Sequence, residues 1–388
     1  MPRRGRILFI LLFSFAVVLL LIAALLFLSA ETGHTEIITT ALTILDPVES
    51  RHEPQPELMI IPARCAHPAH DSVTQECNFC GEKVCHEYIG GQCSCGKTAE
   101  MVADGFDPSL WEVCANSGRI ETLSYQTKDE SSPSGESVTK NMEVYLPHGY
   151  ISDEKYNVLI LLHGSGGDES YWFKERGYEY SDGYGVWEKF SNVLDNMIDR
   201  KLCKPMIVVS PTYYLSEADR LNGNNLSEDV QQMRHEVLES ILPCIITNYS
   251  TYAESADYSA MCKARDHFGF IGASFGGMIT CNAILTYDID VFSWIGTISG
   301  MYANVPQMNR TWTELGYDAL KLHYLYTSAG EYDTMQEDTV DSYASLLGYS
   351  TKVTEGNSCY IETAGAGHEE RVWDNAVYNC MQIFFAGT

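Results

Sequence analysis

The chain has 388 residues, 45% of them apolar, and its 25 lysines and arginines face 52 aspartates and glutamates for a net charge of -27. So large an apolar share excludes a disordered polymer, and the lack of a basic footprint excludes a nucleic-acid binder. Arg3, Arg4 and Arg6 stand ahead of everything else, so in the rest of the chain 22 basic residues face 52 acidic ones.

From Ile7 to Ala30 the only polar residues are Ser14 and Ser29. As a helix this run would span about 36 Å, more than the ~30 Å of a bilayer core. The apolar region of a secretory signal is shorter, about 7–15 residues, and the one weak cleavage site here is Leu28-Ser29-Ala30. Residues 1–30 are therefore expected to form a transmembrane signal anchor, with a cleaved signal as the alternative. The arginines would stay cytoplasmic by the positive-inside rule, which puts the remainder outside the cell. Residues 31–64, with Pro54-Gln55-Pro56 and scattered charges, read as a stalk or linker.

All 13 cysteines lie beyond residue 64, seven of them between Cys65 and Cys114. Within the Cys-rich segment 65–118, the pairs Cys77/Cys80 and Cys93/Cys95 approach a zinc-ribbon arrangement, in which four thiolates close a tetrahedral site. A structural zinc on these four is expected. Disulfides are the competing reading, because an extracellular position permits them. Cys65, His67, His70, Cys85, His86 and Cys114 are further ligand candidates.

From about Arg119 apolar runs alternate with helical periods, the pattern of a mostly parallel sheet. The strands expected are Met142–Leu146, Val158–Leu162, Met206–Ser210, His267–Ile271, Trp294–Ser299, Tyr324–Ser328 and Cys359–Thr363. Trp187, Phe190, Val193, Leu194, Met197 and Ile198 fall on one helical face. A second stripe starts near Ser227 and runs through Val230, Met233, Val237 and Ile241 until Pro243 disturbs it. Val372, Trp373, Ala376, Val377, Met381 and Phe384 make a third.

Gly272-Ala273-Ser274-Phe275-Gly276 has the form G-x-S-x-G between an apolar strand and the apolar helix Met278–Leu285. A serine hydroxyl is a poor nucleophile and must be held exposed on a tight strand-to-helix turn, where a base can reach it. Side chains at Gly272 and Gly276 would collide across that turn. The N–H of Phe275, just after the serine, is the first expected oxyanion donor, and the glycine-rich loop after Leu162 supplies the second. That loop, His163-Gly164-Ser165-Gly166-Gly167, lacks the Gly-Lys-Ser/Thr ending of a phosphate loop. Only His323 and His368 follow Ser274; His323 opens an apolar strand, so His368, in the loop before the last helix, is the expected base. Asp333, past the end of a strand, is the expected orienting acid, with Glu331, Asp338 and Asp341 as rivals. The chain order Ser274, Asp333, His368 is that of the α/β-hydrolases. The fold class expected is thus α/β: an α/β-hydrolase over 119–388, with a mostly parallel sheet, preceded by the transmembrane helix and the Cys-rich segment.

Lys155–Glu169, Pro205–Thr212, Tyr249–Tyr252, Arg265–His267 and Gly272-x-Ser274-x-Gly276-Gly277 together resemble the esterase D-like α/β-hydrolases. The closest resemblance is to carbohydrate esterase family 1, the feruloyl and acetyl-xylan esterases. It covers about residues 119–388. It implies a serine esterase acting on feruloyl or acetyl esters of plant polysaccharide or oligosaccharide, with no cofactor for catalysis. It further implies an oxyanion donor at Ser165 beside that of Phe275, and Glu169 and Trp172 at the edge of the acyl pocket. Gly-Ala-Ser-Phe-Gly-Gly departs from the common Gly-x-Ser-Met-Gly and alters the floor of that pocket. A non-catalytic surface module on the same scaffold and a general carboxylesterase or S-formylglutathione hydrolase-like enzyme are the alternatives.

Overall fold

The computed structural model describes residues 106–176, 178–179, 185–186 and 189–387. The expected anchor, stalk and zinc ligands Cys77, Cys80, Cys93 and Cys95 lie outside the described residues.

Strands β1 (Arg119–Lys128), β2 (Ser137–Leu146), β3 (Asn157–Leu162), β6 (Met206–Ser210), β7 (Phe268–Ala273), β8 (Trp294–Ile298), β9 (Tyr324–Gly330) and β10 (Ser358–Thr363) form one sheet. Its order is β1-β2-β6-β3-β7-β8-β9-β10, and β4 (Tyr178–Glu179) and β5 (Gly185–Val186) pair separately. β1 and β2, and β2 and β6, run antiparallel; every other neighbour in the large sheet is parallel. The architecture is the α/β class with the mostly parallel sheet that the alternating pattern implies.

Every residue of β3, β6, β7, β8 and β9 is buried. Helices cover both faces of a parallel sheet, so its strands read as unbroken apolar runs, and each fully buried Leu, Ile or Val contributes roughly 1.5–3 kcal/mol. β1 is different: only Tyr125 and Thr127 are buried in it, so its sequence offers no such run.

Helix α1 (Phe190–Asp199) carries the first expected stripe and buries Phe190, Val193, Leu194 and Met197. α2 (Glu217–Asn222) is capped by the Ser216 side chain. α3 (Leu226–Glu236) passes through a π-helical stretch, Val237–Ile241, into α4 (Leu242–Asn248). Pro243 therefore does not end the stripe: it falls in the first turn of α4 beyond the wider turn, where a missing N–H is tolerated. α5 (Tyr258–Lys263), α6 (Phe275–Ile279), α7 (Val305–Glu314), α8 (Gln336–Tyr349) and α9 (Glu370–Ile383) complete the layers.

Before β1, Phe106 packs on Tyr378 of α9 with ring centroids 4.7 Å apart, and Asn196 of α1 donates to the carbonyls of Leu110 and Glu112. Cys114 there is buried with a free thiol, as is Cys281, and Cys359 and Cys380 are buried as well. Among the described residues no helix is long and apolar enough to cross a membrane, and no cluster of His, Cys, Asp or Glu could hold a metal ion.

Candidate active site

The chain goes from β3 to β6 on one side and returns across β3 to β7 on the other, so the order reverses between β3 and β7. Ligands of open α/β sheets bind at the carboxyl ends of strands at such a point. Ser274 follows β7, the glycine-rich loop follows β3, and Asp333 and His368 follow β9 and β10.

Ser274 sits at φ 55° and ψ -123°, a backbone conformation that an L side chain rarely adopts. The surrounding glycines make this turn feasible. A Cβ on Gly272 would meet the Gly276 carbonyl, and one on Gly276 would meet the carbonyl of His163. Gly164 approaches so closely that a Cβ there would stand 3.0 Å from the Ser274 Cβ.

Ser274 Oγ lies 2.7 Å from His368 Nε2, and His368 Nδ1 lies 2.8 Å from Asp333 Oδ1. The serine is partly exposed, the imidazole keeps 29% of its surface open and the carboxylate keeps 0%, a gradient from solvent to interior. Burial works to raise the Asp333 pKa. The hydrogen bond to His368, the nearby Ser299 hydroxyl and the Met335 N–H outweigh it, so the carboxyl lies below its ordinary value. A charged acceptor at Oδ1 holds the His368 proton on Nδ1 and leaves Nε2 to accept from the serine. The Trp373 ring stands edge-on to the imidazole at 5.4 Å.

The rival residues lie elsewhere. Glu331 accepts from the Gly365 N–H, and Asp338 and Asp341 are exposed on α8. His323 stacks on Trp294 at 4.8 Å and reaches Asp266 at 2.9 Å, a structural placement. The N–H groups of Ser165 and Phe275 have no hydrogen-bond partner among the described residues. The first N–H groups of a helix have no intrahelical acceptor, which leaves that of Phe275 open.

Two expected pocket residues are placed differently. Trp172 is fully buried beneath the loop, edge-on to Tyr171 at 5.3 Å and Phe190 at 5.8 Å, with the Arg176 guanidinium 5.4 Å over its ring. Its expected place at the edge of the acyl pocket is thereby corrected, because a large ring with these neighbours is core. Glu169 is half-buried, and its charge helps raise the Glu143 pKa after burial itself; it makes no hydrogen bond to Ser274 or His368. Residues given no place in the site by the sequence do reach it: Ser299 and Trp373 beside Asp333 and His368, and Thr212-Tyr213-Tyr214 beside the glycine-rich loop. The last three come one residue after β6, where strand-end position was the available signal.

No family model matches the chain. It is 28% identical over 289 residues to endo-1,4-beta-xylanase Y of Acetivibrio thermocellus, a match covering 71% of this chain and 24% of that protein. It is 24% identical over 307 residues to an endo-1,4-beta-xylanase/feruloyl esterase of Xylanibacter ruminicola, covering 77% of this chain and 36% of that protein. The chain thus spans about a quarter and about a third of these curated relatives. The feruloyl esterase module from Clostridium thermocellum, solved as a mutant complexed with sinapinate, has the same fold (TM-score 0.58, 24% identity, 72% of this chain and 92% of that one). By fold and by likeness the chain is similar to the feruloyl esterases of carbohydrate esterase family 1, on an esterase-type α/β-hydrolase scaffold.

Proposed function

We propose that this chain is a serine carboxylesterase that releases feruloyl or acetyl groups from esterified plant polysaccharide or oligosaccharide. The observation that carries the reading is the hydrogen-bonded line Ser274–His368–Asp333 on the carboxyl edge of the sheet. Ser274 Oγ attacks the ester carbonyl as its proton passes to His368 Nε2. Asp333 holds the imidazole and stabilises the imidazolium that forms. The tetrahedral oxyanion is received by the N–H groups of Ser165 and Phe275. His368 then gives this proton to the departing sugar oxygen, which leaves as the alcohol and an acyl-serine remains; in the second half it activates the water that releases the acid.

The names of the curated relatives favour a feruloyl ester on a xylan-type carrier. The anchor expected over residues 1–30 adds an extracellular placement at the membrane, and the Cys-rich segment adds a structural zinc. The purified chain should hydrolyse p-nitrophenyl acetate, and Ser274→Ala should lower kcat by about 10⁶. Turnover that survives this change overturns the assignment. Rates on methyl ferulate against acetylated xylan then decide the acyl group.

A further inference from the structure

The loop after β3 is rich in glycine, and a glycine-rich loop does not hold one conformation by itself. The carbonyl of its first glycine is nevertheless held from several sides. The Gly164 oxygen lies 2.7 Å from His163 Nδ1, 3.1 Å from the Tyr213 hydroxyl and 3.2 Å from the Gly167 N–H. A carbonyl can only accept, so His163 carries its proton on Nδ1 and presents a bare Nε2, which lies 2.9 Å from Thr212 Oγ1. The ring is fully buried against Tyr213, and burial lowers its pKa to about 4, consistent with a neutral imidazole donating at one nitrogen and accepting at the other. Thr212 is fixed in turn: its carbonyl accepts from Lys140 Nζ at 2.7 Å, and that lysine pairs with the buried Glu236 at 2.6 Å. The Tyr214 hydroxyl accepts from the Gly166 N–H at 3.0 Å, so the next peptide is pinned as well.

A trans peptide is planar, with its C=O and N–H on opposite sides, and no described peptide is cis. Fixing the Gly164 oxygen therefore fixes the direction of the Ser165 N–H, which has no partner among the described residues. We propose that His163 and Tyr213 are positioning residues that clamp the Gly164 carbonyl and so keep the Ser165 N–H aimed at the oxyanion of the ester, with Thr212 holding His163 in register. The proposal rests on the Ser274 reading above. Without the clamp the Gly164–Ser165 peptide plane can rotate, the more easily because Gly164 has no side chain, and a donor meant for the transition state is lost for part of the time. Such a loss appears in kcat rather than in KM.

The test compares Tyr213→Phe, Thr212→Val, Thr212→Ser and Ser274→Ala in the full chain. Tyr213→Phe removes a donor and keeps the ring; Thr212→Val leaves His163 Nε2 without its partner, and Thr212→Ser restores the hydroxyl. Readouts are kcat and KM on one ester, the affinity of an aryl boronic acid whose tetrahedral serine adduct places an oxygen in the oxyanion position, and Tm. Tyr213→Phe and Thr212→Val should each lower kcat by about tenfold with KM within about twofold, a fraction of the ~10²–10³ lost when an oxyanion donor is deleted outright. Boronate affinity should fall by the same factor while Tm holds, and Thr212→Ser should recover most of both losses. Unchanged kcat and boronate affinity in the first two variants, or losses that follow Tm and are not recovered by Thr212→Ser, overturn the clamp while an inactive Ser274→Ala leaves the serine reading standing. An active Ser274→Ala overturns the serine reading, and the clamp falls with it.

Discussion

At the scale of single residues, the described domain separates polar groups that are buried with partners from one that is buried at a cost. Lys140 and Glu236 are almost wholly enclosed, but each has further hydrogen bonds: Thr212 to the lysine, and Tyr125 and Gln232 to the glutamate. Asp288 is as deeply buried, and its nearest cation, Arg234, stands 3.6 Å away. Burial, only partly offset by that arginine, raises its carboxyl to about 8. A folded-state pKa above the unfolded value of about 3.9 means that the native chain holds the proton more tightly. Its stabilising contribution is complete below about pH 4 and is lost as pH rises to about 8. Asp288→Asn, neutral at every pH, should therefore match the parent in Tm near pH 4 and exceed it increasingly up to pH 8–9. A Tm difference that does not change with pH would refute this account.

At the scale of elements, the strand-turn-helix around Ser274 depends on close backbone approach. The carbonyls of His163 and Leu162 stand where a side chain on Gly276 would go, so the loop after β3 and the start of α6 cannot both keep their places if that hydrogen is replaced by a methyl. Gly276→Ala is expected to lower Tm by several degrees, in keeping with overpacking of about 1–3 kcal/mol, and to reduce esterase activity at least tenfold by moving both oxyanion donors. Wild-type Tm and kcat in this variant would show that the turn has slack. The same element was legible in the sequence, because G-x-S-x-G between an apolar strand and an apolar helix follows from local sterics. Trp172 was not: an aromatic residue in a loop beside a catalytic turn reads as pocket lining. Only the packing of α1 and Arg176 shows that the ring points inward. β1 was missed for a related reason, since a half-exposed edge strand carries little hydrophobic signal.

At the scale of the whole molecule, the proposed placement at the membrane rests on the apolar run Ile7–Ala30 and the arginines before it, while the described domain holds no membrane-crossing helix. The expected outcome is that the expressed chain sediments with membranes, resists release by high salt and is freed by detergent, whereas a chain lacking residues 1–30 is recovered in soluble form. Release by salt alone would contradict the anchor. Zinc content and free-thiol count of the detergent-solubilised protein separate the Cys₄ site from disulfides: metal-free protein with the N-terminal thiols oxidised removes the zinc.

What the sequence determined by itself is whatever depends on local order. Continuous apolar runs mark strands buried on both faces, the glycines around Ser274 mark a turn with no room for side chains, and the order Ser, Asp, His marks the α/β-hydrolase arrangement. Tertiary structure decided what depends on residues far apart in the chain. It brought Ser274 within 2.7 Å of His368, turned Trp172 into the core, and set Thr212 and Tyr213 against a loop some 49 residues earlier. The physical reason is that a hydrogen-bond partner or a packing neighbour is chosen by the sheet order, which places β6 and β7 on either side of β3, and no periodicity along the chain encodes that choice.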